Sequence, residues 1–168
     1  MRARRATAAD IPAICWICAE GWRQTYAGHY PPERIERTIA RFYTPQRVVS
    51  EIAPAPGWDG WWVAVDEAGV VVAAAGGGIV RPGEGEIFVL YADPGRRREG
   101  AGTALLDAIT AVQIEKGARQ QWVAVAEGNE KGIPFYEAHG FTRAGTRAPY
   151  ETDDADAAES VLFWRRIG

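Results

Sequence analysis

A glycine-bearing stretch after a strand-like run is the first part of this sequence that could do chemistry. Residues 90–102 read Leu-Tyr-Ala-Asp-Pro-Gly-Arg-Arg-Arg-Glu-Gly-Ala-Gly and lead from a predicted strand into a predicted helix. Glycines let the backbone approach a ligand closely, and the unpaired N–H groups of a first helical turn attract negative charge. The stretch therefore predicts an anion site that suits a pyrophosphate.

The spacing within this loop excludes two common nucleotide sites. No Gly-Lys-Ser/Thr sequence closes the loop, as a P-loop requires, and the Gly-x-Gly-x-x-Gly spacing of a dinucleotide fold is absent. Gly100 and Gly102 could instead do no more than shape an ordinary strand-to-helix turn. The loop alone does not decide between that role and ligand binding.

A second stretch, residues 129–141, provides another motif, and the two motifs together indicate a function that the first alone does not. It reads Asn-x-x-Gly-x-x-Phe-Tyr-Glu-x-x-Gly-Phe, and it follows the Arg-x-x-Gly-x-Gly pattern of residues 97–102 after one further predicted strand. Together the two patterns resemble the signature stretches of the GNAT acetyltransferase superfamily, in the expected order. The resemblance implies an N-acetyltransferase that moves an acetyl group from acetyl-CoA to an amine and uses no metal.

Three positions depart from the family pattern. Arg98 stands where the family often has glycine, Glu99 stands where a basic residue is common, and Gly132 replaces the usual alanine. Glu99 would repel a pyrophosphate unless its side chain points to solvent. The affinity for acetyl-CoA is the property that these departures would change.

The resemblance implies a cofactor site made mostly of main-chain groups. The strand end at residues 90–92 would pair with the pantetheine arm as an added strand, and the loop would hold the pyrophosphate. Asn129 would support the cofactor from the next strand end, or it could cap the following turn. The residues assigned to the cofactor are Leu90, Tyr91, Ala92, Arg97, Arg98, Glu99, Gly100, Ala101, Gly102, Thr103 and Asn129.

The resemblance also implies two catalytic residues. Tyr136 matches the family tyrosine that lies near the thioester sulfur and protonates the departing thiolate. Glu86 opens the strand that matches the family's central one, and it would take the proton that the acceptor amine must lose, directly or through water. Each has a simpler alternative, because Tyr136 could be a core aromatic residue and Glu86 a solvated turn residue.

The acceptor site is predicted in the segment between the first two helices. Trp22, Tyr26 and Tyr30 precede a Pro-Pro turn and are assigned to acceptor binding. The seven tryptophans could line a pocket for a cation or a planar ligand, or they could be core residues. A small-molecule acceptor is favoured over a protein, but a polyamine, an antibiotic, an amino acid and a protein terminus all stay open.

Composition and charge exclude several other classes. A net charge of −3 over 168 residues argues against a general nucleic-acid binder, and no apolar run approaches the roughly 20 residues of a membrane span. No secretory signal follows the basic N-terminus, so we expect a cytoplasmic protein with reduced cysteines. Cys15 and Cys18 lie within a helical pattern, which disfavours a redox or zinc site.

The elements that must position these residues follow from the hydrophobic periodicity. A strand near residues 2–6 precedes a helix that Asp10 caps and a second helix from Pro31, followed by strands at 61–65, 70–80 and 86–92. A helix at 101–116, a strand at 122–126, a short helix at 135–139 and strands at 141–146 and 161–167 complete the chain. We expect one α/β (α+β) domain over residues 1–168, with a mixed, mostly antiparallel central sheet and helices on both faces.

Three further expectations complete the sequence-based picture. The run Gly76-Gly77-Gly78 indicates a bend or bulge within its strand. The acidic residues at 151–159 would attract a cationic acceptor. Acetyl-CoA and an amine are the expected partners, with no nucleic acid and no membrane, and a homodimer stays open.

Two functions other than catalysis also stay open. The same cofactor site without turnover would make the domain an acyl-CoA sensor, which the departures at Arg98 and Glu99 would suit. An interaction domain with an aromatic and acidic surface would need no cofactor at all.

Overall fold

A seven-stranded sheet with helices on both faces forms the fold in the computed structural model, which describes residues 1–147 and 159–168. The strands are β1 Arg2–Arg5, β2 Trp62–Val65, β3 Val71–Arg81, β4 Glu84–Ala92, β5 Gln120–Ala126, β6 Thr142–Arg147 and β7 Ser160–Arg166. The helices are α1 Ile11–Tyr26, α2 Pro32–Phe42, α3 Pro45–Ser50, α4 Ala101–Glu115 and α5 Gly132–Ala138. The predicted order is confirmed, with α3 as an addition, while residues 151–158 of the acidic connector lie outside the described residues.

The sheet opens between its two central strands. The strand order is β1-β2-β3-β4-β5-β7-β6, and among the described strands only β4 and β5 pair in parallel. That pairing joins Glu84–Ile87 to Gln120–Val123 and stops there, although β4 continues to Ala92 and β5 to Ala126. Beyond this point the two strands separate and leave a wedge between their last residues. The sheet as a whole is mixed and mostly antiparallel, as the sequence predicts.

A β-bulge interrupts β4 beside this wedge. Gly76 of β3 pairs with Val89 and Gly77 pairs with Ile87, so Phe88 is an extra residue on β4. The glycines are required here, because a Cβ on Gly77 would lie 2.3 Å from the carbonyl oxygen of Glu86. The glycine run therefore lies at a bulge, as predicted, but the extra residue is Phe88 on the partner strand β4 and not one of the glycines.

Alternate residues of β3 face opposite helices. Ala73 and Ala75 pack with Leu105 of α4, whereas Ala74 packs with Ile14 of α1. Alanine at each position lets both helices approach the sheet closely, and the residues named here are almost completely buried. The prediction of helices on both faces is confirmed.

Several element boundaries differ from the prediction by one or more residues, and two of these differences bear on the site. β4 begins at Glu84, because the chain turns tightly after Arg81 and those two residues pair across the turn. α5 begins at Gly132, because the side-chain oxygen of Asn129 accepts a hydrogen bond from the backbone N–H of Gly132 at 3.0 Å. Glu86 is consequently an interior strand residue and not a turn residue.

Asp10 lies at the N-cap position of α1 but does not cap that helix with its side chain. Its carboxylate accepts a hydrogen bond from the backbone N–H of Thr7 at 2.8 Å and two from the guanidinium of Arg4, at 2.7 and 3.0 Å. These bonds close the short 3-10 turn that precedes α1. The prediction that Asp10 caps α1 is therefore wrong, and its side chain instead stabilises the turn before the helix and ties that turn to β1.

Candidate active site

A long groove of about 1000 Å³ runs along the open side of the wedge. Its lining comprises Thr25, Leu90, Tyr91, Ala92, Arg96, Arg97, Arg98, Gly100, Ala101, Gly102, Thr103, Asn129, Glu130, Lys131, Gly132, Pro134, Phe135, Tyr136 and Ala138. The structure thus gathers in one groove every residue predicted to bind the cofactor except Glu99.

Main-chain geometry at the start of α4 suits an anion. Gly100 is the N-cap with φ 87°, and a Cβ there would meet no atom within 4 Å, so the first turn of the helix is open to the groove. Arg98 has φ 65°, a left-handed conformation that costs a non-glycine residue about 1 kcal/mol. A glycine at this position would avoid that cost, and the unpaired N–H groups in the first turn of α4 lie where a pyrophosphate is predicted.

Glu99 is turned away from the groove by an ion pair. Its carboxylate oxygens accept hydrogen bonds from the guanidinium of Arg96 at 2.7 and 3.1 Å, and Arg96 also contacts Asp66 at 3.1 Å. The hydrogen bonds from Arg96 lower the pKa of Glu99, so its charge is retained and paired. The repulsion expected between Glu99 and a pyrophosphate is thereby reduced.

The position of Asn129 is compatible with both roles considered for it, the cap of the following turn and the support of a cofactor. It caps the first turn of α5 through Gly132, and its side chain lies at the groove. A Cβ on Gly132 would come within 3.0 Å of the Asn129 amide nitrogen. The replacement of the usual alanine by Gly132 therefore leaves room for Asn129 in its present orientation.

His139 is an element of the site that the sequence did not reveal. Its Nδ1 lies 2.8 Å from the carbonyl oxygen of Phe135, and its Nε2 lies 3.1 Å from the hydroxyl of Thr103. Because a carbonyl can only accept, Nδ1 carries the proton in the neutral ring, and Nε2 accepts from Thr103. His139 thus orients the hydroxyl of a groove residue.

A second cavity of about 460 Å³, which we call the aromatic cavity, meets the groove in the wedge. It is lined by Trp22, Tyr26, Phe42, Tyr43, Arg47, Glu51, Trp58, Trp61, Glu86, Ile87, Phe88, Val89, Leu90, Tyr91, Val123, Ala124, Val125, Ala126, Asn129, Tyr136 and Ser160. Leu90, Tyr91, Asn129 and Tyr136 line both spaces. Two ligands, one in each space, would meet at these four residues.

Two of the three residues predicted to bind the acceptor line the aromatic cavity. Trp22 and Tyr26, one helical turn apart on α1, have ring centroids 4.3 Å apart. Tyr30 lies beyond the end of α1 and outside this lining. Its hydroxyl donates to the carbonyl oxygen of Glu127 at 2.8 Å, and the Arg34 guanidinium lies 3.6 Å from its ring centroid. Tyr30 therefore joins the loop after α1 to the loop after β5 and does not line the aromatic cavity.

The ring of Tyr136 packs in the core, and the residue also lines both the groove and the aromatic cavity. It is only 7% exposed, and its ring packs edge-on against Phe135 and Phe141 at centroid distances of 5.2 and 5.4 Å. Burial raises the pKa of Tyr136 well above its ordinary value. The phenol therefore stays protonated at neutral pH, where it can donate a hydrogen bond or a proton at the junction of the two cavities.

Glu86 is buried, so the alternative of a solvated turn residue is wrong. It is 2% exposed, and its Oε1 accepts a hydrogen bond from the guanidinium of Arg147 at 2.5 Å. The amide of Gln113 donates to the Glu86 backbone carbonyl at 3.0 Å. Gly85 has to be glycine for this contact, because a Cβ there would lie 2.1 Å from Oε1 of Gln113.

Sequence reasoning missed Arg147 and Gln113 for different reasons. Arg147 lies 61 residues from Glu86 in the chain, and no local pattern connects the two. Gln113 had a signal, since Gly77 and Gly85 both leave the space that its side chain occupies. A glycine within a strand pattern marks such a close approach.

The cysteines and acidic residues do not form a further centre in the described ranges. No group of three or more His, Cys, Asp or Glu side chains is placed to hold a metal ion in residues 1–147 and 159–168. Burial raises the pKa of the thiols of Cys15 and Cys18, which makes them less reactive. Of the helices in these ranges, none has the length and apolar character needed to cross a membrane.

A wedge between two parallel strands, an open helix N-terminus and a buried tyrosine at the junction form an arrangement like the predicted acetyltransferase site. The family model described as "Acetyltransferase (GNAT) family" matches residues 17–141, so the chain belongs to this family. The prediction of an acetyl-CoA-dependent N-acetyltransferase is confirmed at the level of enzyme class.

Named relatives agree with this family but differ in acceptor. The spermidine N(1)-acetyltransferase of Thermoplasma acidophilum is 22% identical over 169 residues, which cover 95% of this chain and 93% of that protein. The [ribosomal protein bS18]-alanine N-acetyltransferase of Escherichia coli is 33% identical over 80 residues, 48% of this chain and 54% of the relative.

Solved structures share the fold. The PaiA N-acetyltransferase of Thermoplasma acidophilum in complex with coenzyme A has a TM-score of 0.79 at 21% identity, with 98% of each chain covered. Ard1 of Thermoplasma volcanium has a TM-score of 0.72 at 23% identity, with coverage of 99% of this chain and 97% of that chain.

Proposed function

We propose that this enzyme transfers the acetyl group of acetyl-CoA to a primary amine by direct attack in a ternary complex. The observation that carries the proposal is the junction of the groove and the aromatic cavity at Leu90, Tyr91, Asn129 and Tyr136. A thioester that enters from the groove and an amine that enters from the aromatic cavity would meet beside the Tyr136 hydroxyl. No covalent acetyl-enzyme is needed when both substrates can be present together.

The groove fits acetyl-CoA through main-chain groups. Beyond Ile87, β4 has no β5 partner, so its residues up to Ala92 have main-chain donors and acceptors on the wedge side for the pantetheine amides. The start of α4 at Gly100 has N–H groups free for the pyrophosphate. Asn129 faces the same groove and adds a side-chain amide.

The reaction requires the amine to lose a proton before it attacks. An alkylammonium has a pKa of about 10.4, so a base must take the proton at neutral pH. Glu86 lines the aromatic cavity and would take this proton directly or through water, with Arg147 holding its carboxylate in place. The amine nitrogen then forms a bond to the thioester carbon, and main-chain N–H groups near Leu90 stabilise the oxyanion.

Tyr136 would supply the proton for the leaving group. The attacking nitrogen carries a second proton, which it loses to water as the amide forms. As the carbon–sulfur bond breaks, the sulfur takes the phenolic proton and leaves as the thiol of CoA, Tyr136 recovers a proton from water, and Glu86 releases the first amine proton to solvent. Because burial raises the pKa of Tyr136, the phenol is a weak acid. The proton transfer therefore has to accompany the departure of the sulfur and cannot precede it.

The acceptor is proposed to be a small molecule. The aromatic cavity of about 460 Å³ has the size of an ordinary small-ligand pocket, which is usually 300–1,000 Å³ or so. Two of the named relatives act on spermidine and on the alanine of a ribosomal protein. Those names do not agree on one acceptor, so the cavity itself is the better guide.

Calorimetric titration with acetyl-CoA and with CoA tests the donor site without knowledge of the acceptor. We expect micromolar binding of both, on the order of 8 kcal/mol. Mass spectrometry of a mixture of primary amines incubated with enzyme and acetyl-CoA should then show acetylated products. Absence of binding would contradict the proposed donor site. Tight binding with no acetylated amine would favour the alternative of a non-catalytic acyl-CoA sensor.

A further inference from the structure

Aromatic rings form much of the wall of the aromatic cavity. Nine of its lining residues are aromatic: Trp22, Tyr26, Phe42, Tyr43, Trp58, Trp61, Phe88, Tyr91 and Tyr136. The Tyr136 hydroxyl has the chemical role proposed above, but that role does not explain the other rings. Faces and edges of aromatic rings are the surfaces that best complement a flat apolar group.

Phe88 presents its ring to the cavity because of the β-bulge. As the extra residue on β4, it has no partner on β3, and it remains 42% exposed despite lying on a central strand. The exposed part of this ring is open to contact with a flat apolar group. The ring of Trp58 lies beside it, with 6.3 Å between the ring centroids.

The side chain of Trp58 is fixed by a hydrogen bond and by packing on both the sheet and a second tryptophan. Its indole N–H donates to the backbone carbonyl of Glu51 at 2.8 Å, and its ring packs edge-on against Trp61 at 5.6 Å between centroids. A Cβ on Gly76 would lie 2.1 Å from the Trp58 ring, so the ring is seated directly on the backbone of β3. A ligand would therefore meet Phe88 and Trp58 as a preformed apolar corner.

The charges at the cavity favour a ligand with one cationic group over a polycation. Oε1 of Glu86 is held by Arg147, and Oε2 of Glu51 accepts a hydrogen bond from Arg47 at 3.2 Å. A polycation would have to displace these guanidinium groups. Oε1 of Glu51 is buried without a hydrogen-bond partner among the described residues, so it is shielded from a second cationic group in the cavity.

We infer that the acceptor is an arylalkylamine, a primary amine joined by a short chain to a flat aromatic ring, and that the ring lies against Phe88 and Trp58. This inference rests on the proposed function for the direction in which the amine points. Contact of the ring with Phe88 and Trp58 does not require the reaction, so the affinity for the amine tests it without catalysis.

Equilibrium binding to the protein saturated with CoA provides the test. Phenethylamine, n-butylamine and spermidine serve as probes, because they share a primary amine and differ in the body attached to it. We expect phenethylamine to bind at least about tenfold more tightly than either of the others, the factor that 1.4 kcal/mol of ring contact would produce.

Phe88 variants show whether this preference resides in the proposed corner. Phe88→Ala should weaken phenethylamine binding by about tenfold and n-butylamine binding by less than about threefold. Phe88→Leu keeps an apolar side chain and should give an intermediate loss. Val80→Ala, at an exposed apolar position of the neighbouring strand β3, is the matched control and should change neither affinity.

Two results would overturn the inference: spermidine or n-butylamine binding as tightly as phenethylamine, or a Phe88→Ala protein with unchanged affinities. The proposed function fails in a different way. If phenethylamine binds as expected and no acetylated product forms, the cavity assignment stands and catalysis is contradicted. If CoA does not bind, the same amine series can be run on the protein alone.

Discussion

The ring of Phe135 packs against the backbone of Gly102, where a Cβ would come within 3.2 Å of the ring. Gly102 belongs to the first turn of α4 and Phe135 to α5, so the two signature stretches of the sequence are in direct contact. Because this contact joins the two helices at the groove, the loop proposed to bind the pyrophosphate and the segment that carries Tyr136 are positioned together. The donor site and the proposed acid are therefore parts of one packed unit.

Gly100→Glu should abolish acetyl-CoA binding, because a carboxylate at the open N-terminus of α4 would repel and obstruct the pyrophosphate. Gly117→Glu is the matched control at the other end of the helix, where φ is 90° and a Cβ also meets no atom within 4 Å. Each substitution should cost about 1–2 kcal/mol of stability, since each places a side chain in the left-handed region. Calorimetry that shows equal loss of binding in both variants would contradict the groove as the cofactor site.

Tyr136→Phe should lower kcat by about 10²-fold and leave the Kd for acetyl-CoA within about twofold, because the variant loses only the proton donor. Tyr30→Phe is the control, since it removes a hydroxyl that bonds to Glu127 outside the aromatic cavity. It should cost about 1 kcal/mol of stability and little activity. Steady-state kinetics and calorimetry on both variants measure the difference, and an unchanged kcat for Tyr136→Phe would contradict its role as the acid.

The raised pKa of Tyr136 also fixes the shape of the pH profile. The proton donor remains protonated at every pH below its folded pKa, which lies above the ordinary value of about 10. The rate should therefore rise with pH as the amine loses its proton, without a decline from Tyr136 up to about pH 10. A falling limb near neutral pH that disappears in Tyr136→Phe would contradict this assignment.

The order of elements could be predicted because it depends on short-range patterns. Hydrophobic periodicity over a few turns identified α1 and α4, and the loop before Gly100 was specific enough to indicate an anion site. Trp22 and Tyr26 share the cavity because they are one helical turn apart. Tyr30 follows the end of the helix, and its direction could not be inferred from its spacing.

The wedge, the extra residue Phe88 on β4 and the Glu86–Arg147 pair could not be predicted, because each depends on the register between distant strands. Phe88 becomes an extra residue only when Gly76 pairs with Val89. Similarly, the glycines around Glu86 look like a turn in the sequence. In the fold Gly85 makes room for Gln113, a residue of α4 whose amide donates to the backbone carbonyl of Glu86, so Glu86 lies in the interior of a strand.

Asp10→Asn should destabilise the fold at neutral pH by about 2 kcal/mol, because hydrogen bonds from Arg4 and Thr7 to a nearly buried carboxylate are weakened. The hydrogen bonds from Arg4 lower the pKa of Asp10 below its ordinary value. Its stabilising contribution is therefore complete above the unfolded pKa of about 3.9 and is lost as the pH falls through the lower folded pKa.

Urea denaturation of the Asp10→Asn variant and the wild type at pH 7 and near pH 2 measures this contribution. The difference in free energy of unfolding should shrink at the acidic pH. Asp107→Asn, at an exposed position on α4, is the control and should stay within about 0.5 kcal/mol at pH 7. An equal difference at both pH values would show that the charge of Asp10 is not the source of its effect.

Glu86→Gln should lower kcat/KM for the amine by at least about 10²-fold at pH 7 and leave acetyl-CoA binding within about twofold. The glutamine keeps the size of the side chain and loses the ability to take the amine proton. Glu84→Gln is the matched control, because Glu84 lies two residues earlier on β4 and pairs with Arg81 at the surface. It should retain the wild-type rate.

The pH dependence of the Glu86→Gln variant separates a base from a merely structural carboxylate. As the pH rises toward the amine pKa of about 10.4, more of the acceptor is already deprotonated and the base is needed less. The rate of the variant should then approach that of the wild type. A deficit that stays constant from pH 7 to about pH 10 would instead assign Glu86 to holding Arg147 and β6 in place, and the base would have to be sought elsewhere in the cavity.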